Sequence, residues 1–398
     1  MAYKLLNRCV CCDNSDLKLA LDLGSQPLAN NLKIHSPSYP LAVNLCENCW
    51  HLQLTVAVDP QEMFSEYLYV SGTTKTLRDY FSWFAKFAME LKPDAQHVLD
   101  IACNDGSQLD AFNFQGLQTY GVDPAKNLHA LSSVRHRVLC QFMDHSVQHH
   151  FVNQKFDIIV AQNVIAHTAD PGMIFSAAAD LLKDDGVFLV QTSQADMVSN
   201  GEFDTIYHEH ISFFSLSSMS ALAQRCGLAV VDAIKTPVHG HSWLFVIGKQ
   251  QTSSHRLSNA MAMQQSHGLM STDAYQHWAT RCRSIQQETK NLIAAIRAQG
   301  QQLIGYGAAA KGMTFLNSID ESLDAIIDDN PLKQGFVCPG NGTPIVSPDL
   351  LSKLGTEPVV FVPLAWNFFD EIRGRIQHSR ENHNDRYLRY FPEVQLVS

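Results

Sequence analysis

The chain has 398 residues, enough for two or three domains of about 150 residues each. Hydrophobic residues make up 45% of it, and the formal net charge is −10. An acidic surface repels phosphate backbones, so we expect no nucleic-acid partner. The sequence has no apolar run long enough to cross a bilayer, and its first residues lack a signal-peptide pattern. We therefore expect a soluble cytoplasmic protein with no membrane partner, and we favour a monomer.

Four of the ten cysteines form two CxxC pairs, Cys9 with Cys12 and Cys46 with Cys49. Two such pairs can present four thiolates to one ion, which is the closed tetrahedral shell of a structural zinc site. The alternatives are four unrelated buried thiols or a redox pair, although neither pair lies in a thioredoxin-like βαβ context. The spacing does not distinguish zinc from iron. We expect a structural Zn²⁺ that stabilises a small module over residues 1–60.

Hydrophobic periodicity divides the rest of the chain. Residues 61–92 carry apolar side chains at three- and four-residue spacing, which predicts a helical connector. Residues 93–250 alternate short apolar runs with helical segments, the pattern of a parallel sheet. Residues 251–300 are polar and helical, and residues 301–398 return to βα alternation. We predict an α/β protein with a central Rossmann-like methyltransferase domain and a second, C-terminal Rossmann-like domain.

A strand, a tight turn and a helix are predicted over residues 97–106, and the next predicted strand ends at Asp123. Small turn residues let the backbone approach a ligand, and an acid in this place accepts hydrogen bonds from ribose hydroxyls. The acids near the turn repel a pyrophosphate but suit the sulfonium and ammonium groups of S-adenosylmethionine. The alternative is an ordinary βα turn. The predicted cofactor-binding residues are Asp100, Ala102, Asn104, Asp105, Gly106, Asp123 and Asn163.

Six ionisable side chains fall within residues 202–210, directly before an apolar run. Apolar flanks desolvate such groups and can move their pKa values toward neutrality. A histidine beside a glutamate can then act as a general base. The alternative is a surface loop with solvated charges. His167, at the end of a predicted strand, is either a residue of a helix start or a member of the active site.

Several motifs, taken together, resemble the sugar C-methyltransferase family that builds branched deoxysugars on nucleotide carriers, such as the tetronitrose-type enzymes. The likeness covers nearly the whole chain, and the YHEH and GYGAxAKG motifs within it are very specific. The motifs lie at residues 23–30, 67–71, 104–106, 163–167, 207–210 and 305–312.

The resemblance implies a C3-methylation of a nucleotide-diphosphate 4-keto-deoxysugar, with dTDP as the expected carrier. A carbon next to a ketone is acidic, and the position that matches the family's general base is His210. The resulting enolate would attack the sulfonium methyl group in line. The remaining predicted catalytic residues are Glu209, Tyr207, His167 and one of Tyr67 and Tyr69.

The motif at residues 305–312 predicts a strand that runs into a helix N-terminus, where backbone amides can receive a diphosphate. The alternative is a second sheet kept only for packing. Asp328, Asp329 and Lys333 are expected to belong to loop structure. The predicted substrate-binding residues are Tyr306, Gly307, Ala308 and Lys311.

The chain departs from the family pattern at three positions. His241 and Leu244 replace a glycine and an arginine, so an anion contact could be lost and the sugar or carrier could differ. Ala102 replaces a glycine, and we expect its methyl group to be tolerated if φ there is negative. Two other functions stay open: O- or N-methylation of a small metabolite, and a catalytically inactive binding protein.

Overall fold

The structure is a computed structural model. It describes residues 3–32, 36–60, 63, 72, 75–193, 196–237, 241–250, 252–380 and 384–398. The chain forms two compact units, neither of them continuous in sequence. The first unit comprises Met1–Lys18, Asn44–Ala195 and Glu209–Met270, and the second comprises Leu19–Val43, Asp196–His208 and Ser271–Ser398.

The strands are short and follow the apolar runs of the sequence. In chain order they are β1 (Tyr3–Leu5), β2 (Leu17–Pro27), β3 (Ser38–Cys46), β4 (His51–Leu54), β5 (Val56–Val58), β6 (His97–Ile101), β7 (Gln118–Val122), β8 (Arg137–Leu139), β9 (Phe156–Gln162), β10 (Leu182–Ser193), β11 (Ser212–Phe213), β12 (Ala229–Thr236), β13 (Ser242–Gly248), β14 (Leu303–Tyr306), β15 (Ala325–Ile327), β16 (Ile345–Val346), β17 (Val360–Pro363), β18 (Arg386–Arg389) and β19 (Gln395–Val397).

Several helices begin at side chains that accept a hydrogen bond from the first turn, as in the Ser254 cap that accepts from Leu257 N. The α-helices are α1 (Lys75–Leu91), α2 (Ser107–Phe114), α3 (Lys126–Ser132), α4 (Pro171–Leu181), α5 (Met197–Asn200), α6 (Leu216–Arg225), α7 (His255–Ser266), α8 (Thr272–Ala298), α9 (Ala310–Ser318), α10 (Leu350–Lys353) and α11 (Phe369–Ser379).

The first unit is built on a seven-stranded sheet in the order β12-β13-β10-β9-β6-β7-β8. The five strands from β10 to β8 are parallel, as the alternation predicted. The pattern of residues 93–250 predicted a parallel sheet, but β13 runs antiparallel to both β10 and β12. A short connection from β12 to β13 permits only an antiparallel pair, since a parallel pair needs a longer crossover.

Each face of this sheet carries its own core. Ile158 and Val160 of β9 pack with Phe84 of α1, whereas Ile159 packs with Phe175 of α4. Successive side chains of a strand point to opposite faces, so a strand covered by helices on both sides is apolar at every position. This explains the unbroken apolar run of β9 and leaves the carboxyl ends of the strands for ligands.

Shorter strands lie outside the large sheet. In the first unit β1 pairs antiparallel with β5, and β4 pairs antiparallel with β11. In the second unit β2 lies beside β3. These strands come from the cysteine-containing segment and from the segment after the YHEH motif.

Helices α1, α7 and α8 lie within the two stretches that were predicted to be helical. Helix α1 buries Phe81, Phe84, Ala85 and Ala88 on one side. Helix α8 ends just before Gly300, whose φ of 70° suits glycine. In the part of the chain that the structure describes, we find no helix that is both long enough and apolar enough to span a membrane.

The second unit contains a six-stranded sheet in the order β16-β15-β14-β17-β18-β19. The strands from β16 to β18 are parallel, and only β19 is antiparallel. Numbered by appearance, the parallel strands follow the order 3-2-1-4-5 of a doubly wound nucleotide-binding sheet. The predicted α/β fold class, with two Rossmann-like domains, is confirmed.

Candidate active site and metal centre

The predicted cofactor turn follows β6 and adopts an unusual backbone conformation. Ala102, Asn104 and Gly106 have φ angles of 60°, 51° and 84°. Asp123, which follows β7, accepts hydrogen bonds from Asn104 N and Ala125 N, both at 2.8 Å. The carboxylate therefore holds the turn in its tight conformation and has remaining lone pairs for a ligand.

Two positions of this turn have limited freedom. A Cβ atom on Gly106 would lie 2.9 Å from Cδ2 of His136, so the position accepts only glycine. The methyl group of Ala102 was expected to be tolerated if φ there is negative, and this condition is not met because φ is 60°. A left-handed conformation costs an alanine roughly 1–2 kcal/mol relative to glycine, so the replacement leaves strain in the turn.

The acids around the turn fit a cationic ligand. Burial, followed by the charges of Asp123 and Asp105, raises the pKa of Asp100 well above its usual value. Burial also raises the pKa of Asp123. A bound sulfonium or ammonium group would relieve this repulsion, whereas a diphosphate would increase it. Asp105 also shapes the loop, since it accepts from Gly72 N at 3.1 Å and from Ser107 Oγ at 2.8 Å.

Asn163 directly follows β9, at the carboxyl end of the sheet. Its φ is 54°, and its backbone N–H donates to the carbonyl oxygen of Gln191 at 3.0 Å. Its side-chain oxygen is buried, with no hydrogen-bond donor in range among the described residues. The sequence analysis missed Gln191 itself, although it carries the same signal as Asn163, a polar residue where a buried apolar strand ends.

His167 and His210 lie together in the first unit. Their ring centroids are 4.9 Å apart and their planes are inclined by 72°. The chain segments are joined by the hydrogen bond from Ile211 N to the Ala166 carbonyl at 2.7 Å. Burial lowers the pKa of His167 to about 4. Glu209 belongs to the same unit, and its backbone contacts His167. Three of the predicted catalytic residues are thus neighbours.

The other half of the YHEH motif belongs to the second unit, since the boundary falls between His208 and Glu209. His208 is buried, packs edge-on against Tyr39 at 5.8 Å between ring centroids, and has its pKa lowered to about 4 by burial. Tyr207 is half-buried. The remaining predicted catalytic residues, Tyr67 and Tyr69, lie outside the described residues.

The four paired cysteines form a cluster in which all Sγ atoms lie within 4.8 Å of one another. The Sγ atoms of Cys9 and Cys49 are 3.5 Å apart, as are those of Cys12 and Cys46. Four thiolates at this spacing fit the tetrahedral shell around zinc, with Zn–S distances of about 2.3 Å. Among the described residues, this is the group of side chains that could hold a metal ion.

The two cysteine turns share one geometry. Asp13 N donates to the Cys9 carbonyl at 2.9 Å, and Trp50 N donates to the Cys46 carbonyl at 2.7 Å. Asp13 and Trp50 have φ angles of 62° and 59°. Each pair thus ends in a left-handed residue that is not glycine, and the chain must be held there by its contacts.

The C-terminal motif forms the first βα turn of the second unit's sheet. Gly307 follows β14 with φ of 92°, and a Cβ there would lie 3.0 Å from the Cβ of Ala365. Ala308 N donates to Asp328 Oδ2 at 2.6 Å, and Lys333 Nζ donates to the Ala308 carbonyl at 2.7 Å. Asp328 and Lys333 therefore stabilise the loop, the role expected of them.

Tyr306 and Lys311 flank this turn. The Tyr306 hydroxyl donates to Asp329 Oδ1 at 3.0 Å. Lys311 is half-buried, with its Nζ atom 4.8 Å from the centre of the Trp366 ring. Trp366 Nε1 donates to the buried carboxylate of Asp204 at 2.7 Å. The ammonium group of Lys311 is thus held by an aromatic ring.

The altered stretch before β13 lies partly outside the described residues, at positions 238–240. His241 has φ of 74°, a conformation that a glycine would adopt without strain. Leu244 is fully buried in the core of the first unit and is paired with Gln191 across the sheet. The side chain at position 244 therefore contributes to packing in this chain.

Three family models match successive parts of the chain. Residues 9–64 match a model described as "Putative zinc binding domain". Residues 73–233 match one described as "Methyltransferase domain", and residues 237–392 match "C-methyltransferase C-terminal domain". The zinc-binding match covers the cysteine cluster, and together with its geometry it supports the predicted structural zinc.

Two curated relatives and one solved structure show how far the likeness extends. The C-methyltransferase NovU of Streptomyces niveus is 28% identical over 415 residues, which cover 99% of this chain and 97% of that protein. A ubiquinone biosynthesis O-methyltransferase of Nitrobacter winogradskyi is 34% identical over 98 residues, or 24% of this chain and 38% of that protein. The glycopeptide N-methyltransferase MtfA, complexed with S-adenosylmethionine, has a TM-score of 0.36 and 12% identity over 46% of this chain and 97% of that one.

Proposed function

We propose that this chain, which is an S-adenosylmethionine-dependent C-methyltransferase with a structural zinc site, methylates C3 of a nucleotide-diphosphate 4-keto-deoxysugar. The likeness to NovU along the whole chain supports carbon as the methyl acceptor. The observation that carries the proposal is the contact between the half-buried His167 and the buried His210, beside the carboxyl end of β9. Such a pair can remove a proton from carbon, which methylation of an oxygen or nitrogen does not require.

In this mechanism His210 is the general base. Its imidazole takes the C3 proton, and the electron pair left behind is delocalised onto the C4 carbonyl oxygen as an enolate. Glu209, the neighbouring carboxylate, would support the imidazolium that forms. The proton thus leaves before the C–C bond is made, and C3 becomes a nucleophile.

His167 is suited to stabilise the enolate. Its pKa of about 4 keeps the imidazole neutral at pH 7, so it can donate a hydrogen bond without competing for the proton that His210 must accept. A donor aimed at charge that develops only during the reaction lowers the barrier rather than the ground state. We assign a similar donor role to Tyr207 and to one of Tyr67 and Tyr69.

The cofactor supplies an electrophilic methyl group on a sulfonium. Asp100, Asp105 and Asp123 would attract its positive groups. The turn formed by Ala102, Asn104 and Gly106 would let the backbone approach it, and Asn163 would contact it from the next strand. The substrate carbon must then lie in line with the methyl group on the side of β9 and β10.

The second unit is proposed to hold the nucleotide diphosphate. Its sheet has the doubly wound order, and Tyr306 and Gly307 lie where β14 reaches the carboxyl edge, beside β17. This is the switch point at which such sheets bind nucleotides. The ammonium group of Lys311 would neutralise the phosphates, whereas Gly307 N and Ala308 N already donate to the Ile327 carbonyl and to Asp328 and would have to exchange these partners to bind them. We further propose a cytoplasmic location, since free thiolates persist in reducing compartments. We also propose that the protein is a monomer.

The alternative of O-methylation has a narrower basis. The ubiquinone O-methyltransferase matches only 98 residues, or 24% of this chain. This length is too short to include both the C-terminal domain and the cysteine module. Sharing a cofactor domain is compatible with many acceptors, because function depends on the site rather than the fold.

The test is hydrogen exchange in deuterated water. The purified enzyme is incubated with a dTDP-4-keto-6-deoxyhexose, with and without S-adenosylmethionine, and C3–H and product mass are followed by NMR and mass spectrometry. We expect deuterium at C3, a methyl group added when the cofactor is present, and loss of both in His210→Asn. Methylation without any exchange by the enzyme, or transfer to oxygen or nitrogen, would contradict the proposal. A panel of other keto-sugars separates a different sugar from a different reaction.

A further inference from the structure

Gln191 is a fully buried amide at the carboxyl end of β10, in the first unit. Its Oε1 atom accepts a hydrogen bond from the Tyr80 hydroxyl at 2.6 Å. Burial raises the pKa of Tyr80, so this hydroxyl stays protonated and remains a donor. The Nε2 atom of Gln191, in contrast, is buried without an acceptor in range among the residues that the structure describes.

An amide buried with its N–H groups unpaired destabilises the fold, because these groups have lost their hydrogen bonds to water. Turning the amide over would not relieve the cost, because Nε2 would then donate to the Tyr80 hydroxyl and Oε1 would be the unpaired atom instead. Tyr80 therefore pairs with one end of the amide, here Oε1, and leaves the other end, here Nε2, free for a ligand. A ligand oxygen at Nε2 would complete the set of hydrogen bonds.

The position of Gln191 agrees with such a role. It lies level with Gln162 of β9, and its carbonyl oxygen accepts from Asn163 N. The Gln162 amide is internally paired, since its Nε2 donates to Gln108 Oε1 at 2.6 Å. Two neighbouring glutamines on the same row thus differ in one respect: only Gln191 keeps an unpaired donor.

The strand order points to the acceptor substrate rather than to the cofactor. The proposed cofactor contacts come from the turns after β6 and β7, with Asn163 after β9. Strand β10 lies on the far side of β9 from those turns, away from the proposed cofactor contacts. The segment with His167 also follows β9, so the acid–base residues and Gln191 belong to the same side of the site.

We propose that Gln191 binds the methyl acceptor, with Nε2 donating a hydrogen bond to a hydroxyl or carbonyl oxygen of the sugar, and that Tyr80 is the residue that positions the amide. This inference rests on the proposed function, because a keto-sugar supplies such oxygens. No proton is transferred in the contact. Its effect is to orient the sugar so that one carbon faces the methyl group.

The test compares three variants. Tyr80→Phe/Gln191→Met removes both partners of the internal bond together with the free donor, replacing them with apolar groups of similar shape. Tyr80→Phe alone removes the positioning hydroxyl and keeps the amide. Gln162→Met is the matched control, since it removes a glutamine of the same row whose amide is already paired.

Melting temperatures are measured without ligand, with S-adenosylhomocysteine, and with a dTDP-4-keto-6-deoxyhexose, alongside steady-state kinetics. For the double variant we expect a ligand-free Tm close to wild type and a normal shift with S-adenosylhomocysteine. Its sugar-induced shift should be reduced and its KM for the sugar raised about three- to tenfold, the value of one neutral hydrogen bond. Gln162→Met should lower the ligand-free Tm and leave the sugar response intact.

Three outcomes would overturn the inference. A double variant with wild-type sugar response and KM would show that Gln191 only supports the fold. Loss of the S-adenosylhomocysteine shift would place Gln191 in the cofactor site. A wild-type protein that neither binds nor methylates any keto-sugar would overturn the proposed function and this inference together, whereas the first two outcomes leave the proposed function standing.

Discussion

His167 and His210 meet edge to face, with 4.9 Å between ring centroids, and His167 is held neutral by burial. A neutral ring beside the proposed base does not repel the imidazolium that forms when His210 accepts a proton. Two histidines in contact can therefore have different tasks, one as base and one as hydrogen-bond donor.

Replacing His167 with asparagine should slow both C3 exchange and methyl transfer by roughly 10²- to 10³-fold, the usual cost of losing one donor to a developing oxyanion. The KM for the sugar should change little, since the interaction forms late in the reaction. His145, whose side chain is 54% exposed, supplies the control variant His145→Asn, which should react at the wild-type rate. Equal rates for the two variants would remove His167 from the mechanism.

The lowered pKa of His167 also predicts a dependence of stability on pH. Its pKa is about 4 in the folded protein and about 6.5 in an unfolded chain. The unfolded state therefore binds more protons between these values, so stability is fully present above pH 6.5 and falls as pH drops toward 4. At pH 5 the loss is about 2 kcal/mol.

Urea denaturation at pH 7 and pH 5 measures this effect. The difference in the free energy of unfolding between the two pH values should be about 2 kcal/mol smaller in His167→Gln than in wild type. His145→Gln should keep the wild-type difference. An unchanged difference in His167→Gln would mean that this histidine is accessible to protons in the folded state.

Ala102→Gly should stabilise the protein by up to about 1 kcal/mol, because glycine adopts the φ of 60° without strain. Ala125→Gly is the control, since Ala125 has φ of −76° and gains nothing from the change. We expect it to be neutral or slightly destabilising. A lower Tm in Ala102→Gly, measured by thermal denaturation, would contradict the assigned backbone conformation.

Cys46→Ser should lower the zinc content well below one ion per chain and destabilise the N-terminal module, because a structural zinc contributes directly to folding. Cys140→Ser changes an exposed cysteine outside the cluster and should leave the metal content unchanged. Elemental analysis and protease sensitivity measure the two effects. A full zinc complement in Cys46→Ser would exclude this cysteine as a ligand.

Lys311→Met should raise the KM for the nucleotide-sugar and reduce the dependence of that KM on salt, since one positive charge near the diphosphate is removed. Affinity for S-adenosylmethionine should not change. Lys353→Met, at an exposed lysine of α10, is the control for loss of a charge. Equal KM values for Lys311→Met and Lys353→Met would mean that the phosphates bind elsewhere.

Patterns of residue type were enough to predict the α/β class and the zinc cluster. Thiolates at CxxC spacing have few structural uses, so Cys9 and Cys46 could be assigned to one site before any fold was known. Apolar runs such as β9 indicate strands buried on both faces. The left-handed backbone of Ala102 was not predicted, because alanine gives no sign of a positive φ.

Other features depend on tertiary neighbours. The pairing of β13 with β10 brings together strands far apart in the chain, which no local pattern records. The difference between Gln162 and Gln191 arises from their partners, Gln108 in one case and Tyr80 in the other. Sequence identifies the amides, but only the structure shows which of them has an unpaired donor.

The left-handed residues that end the two cysteine turns have a consequence for the living cell. Asp13 and Trp50 hold conformations that cost free energy, and a bound ion offsets that cost through the adjacent thiolates. When zinc is scarce, the four thiolates no longer share an ion, so both turns lose the contact that stabilises them. The segment that contains the two turns then becomes a substrate for proteases. The amount of folded enzyme, and so the supply of its methylated product, would then depend on how much zinc the organism can take up.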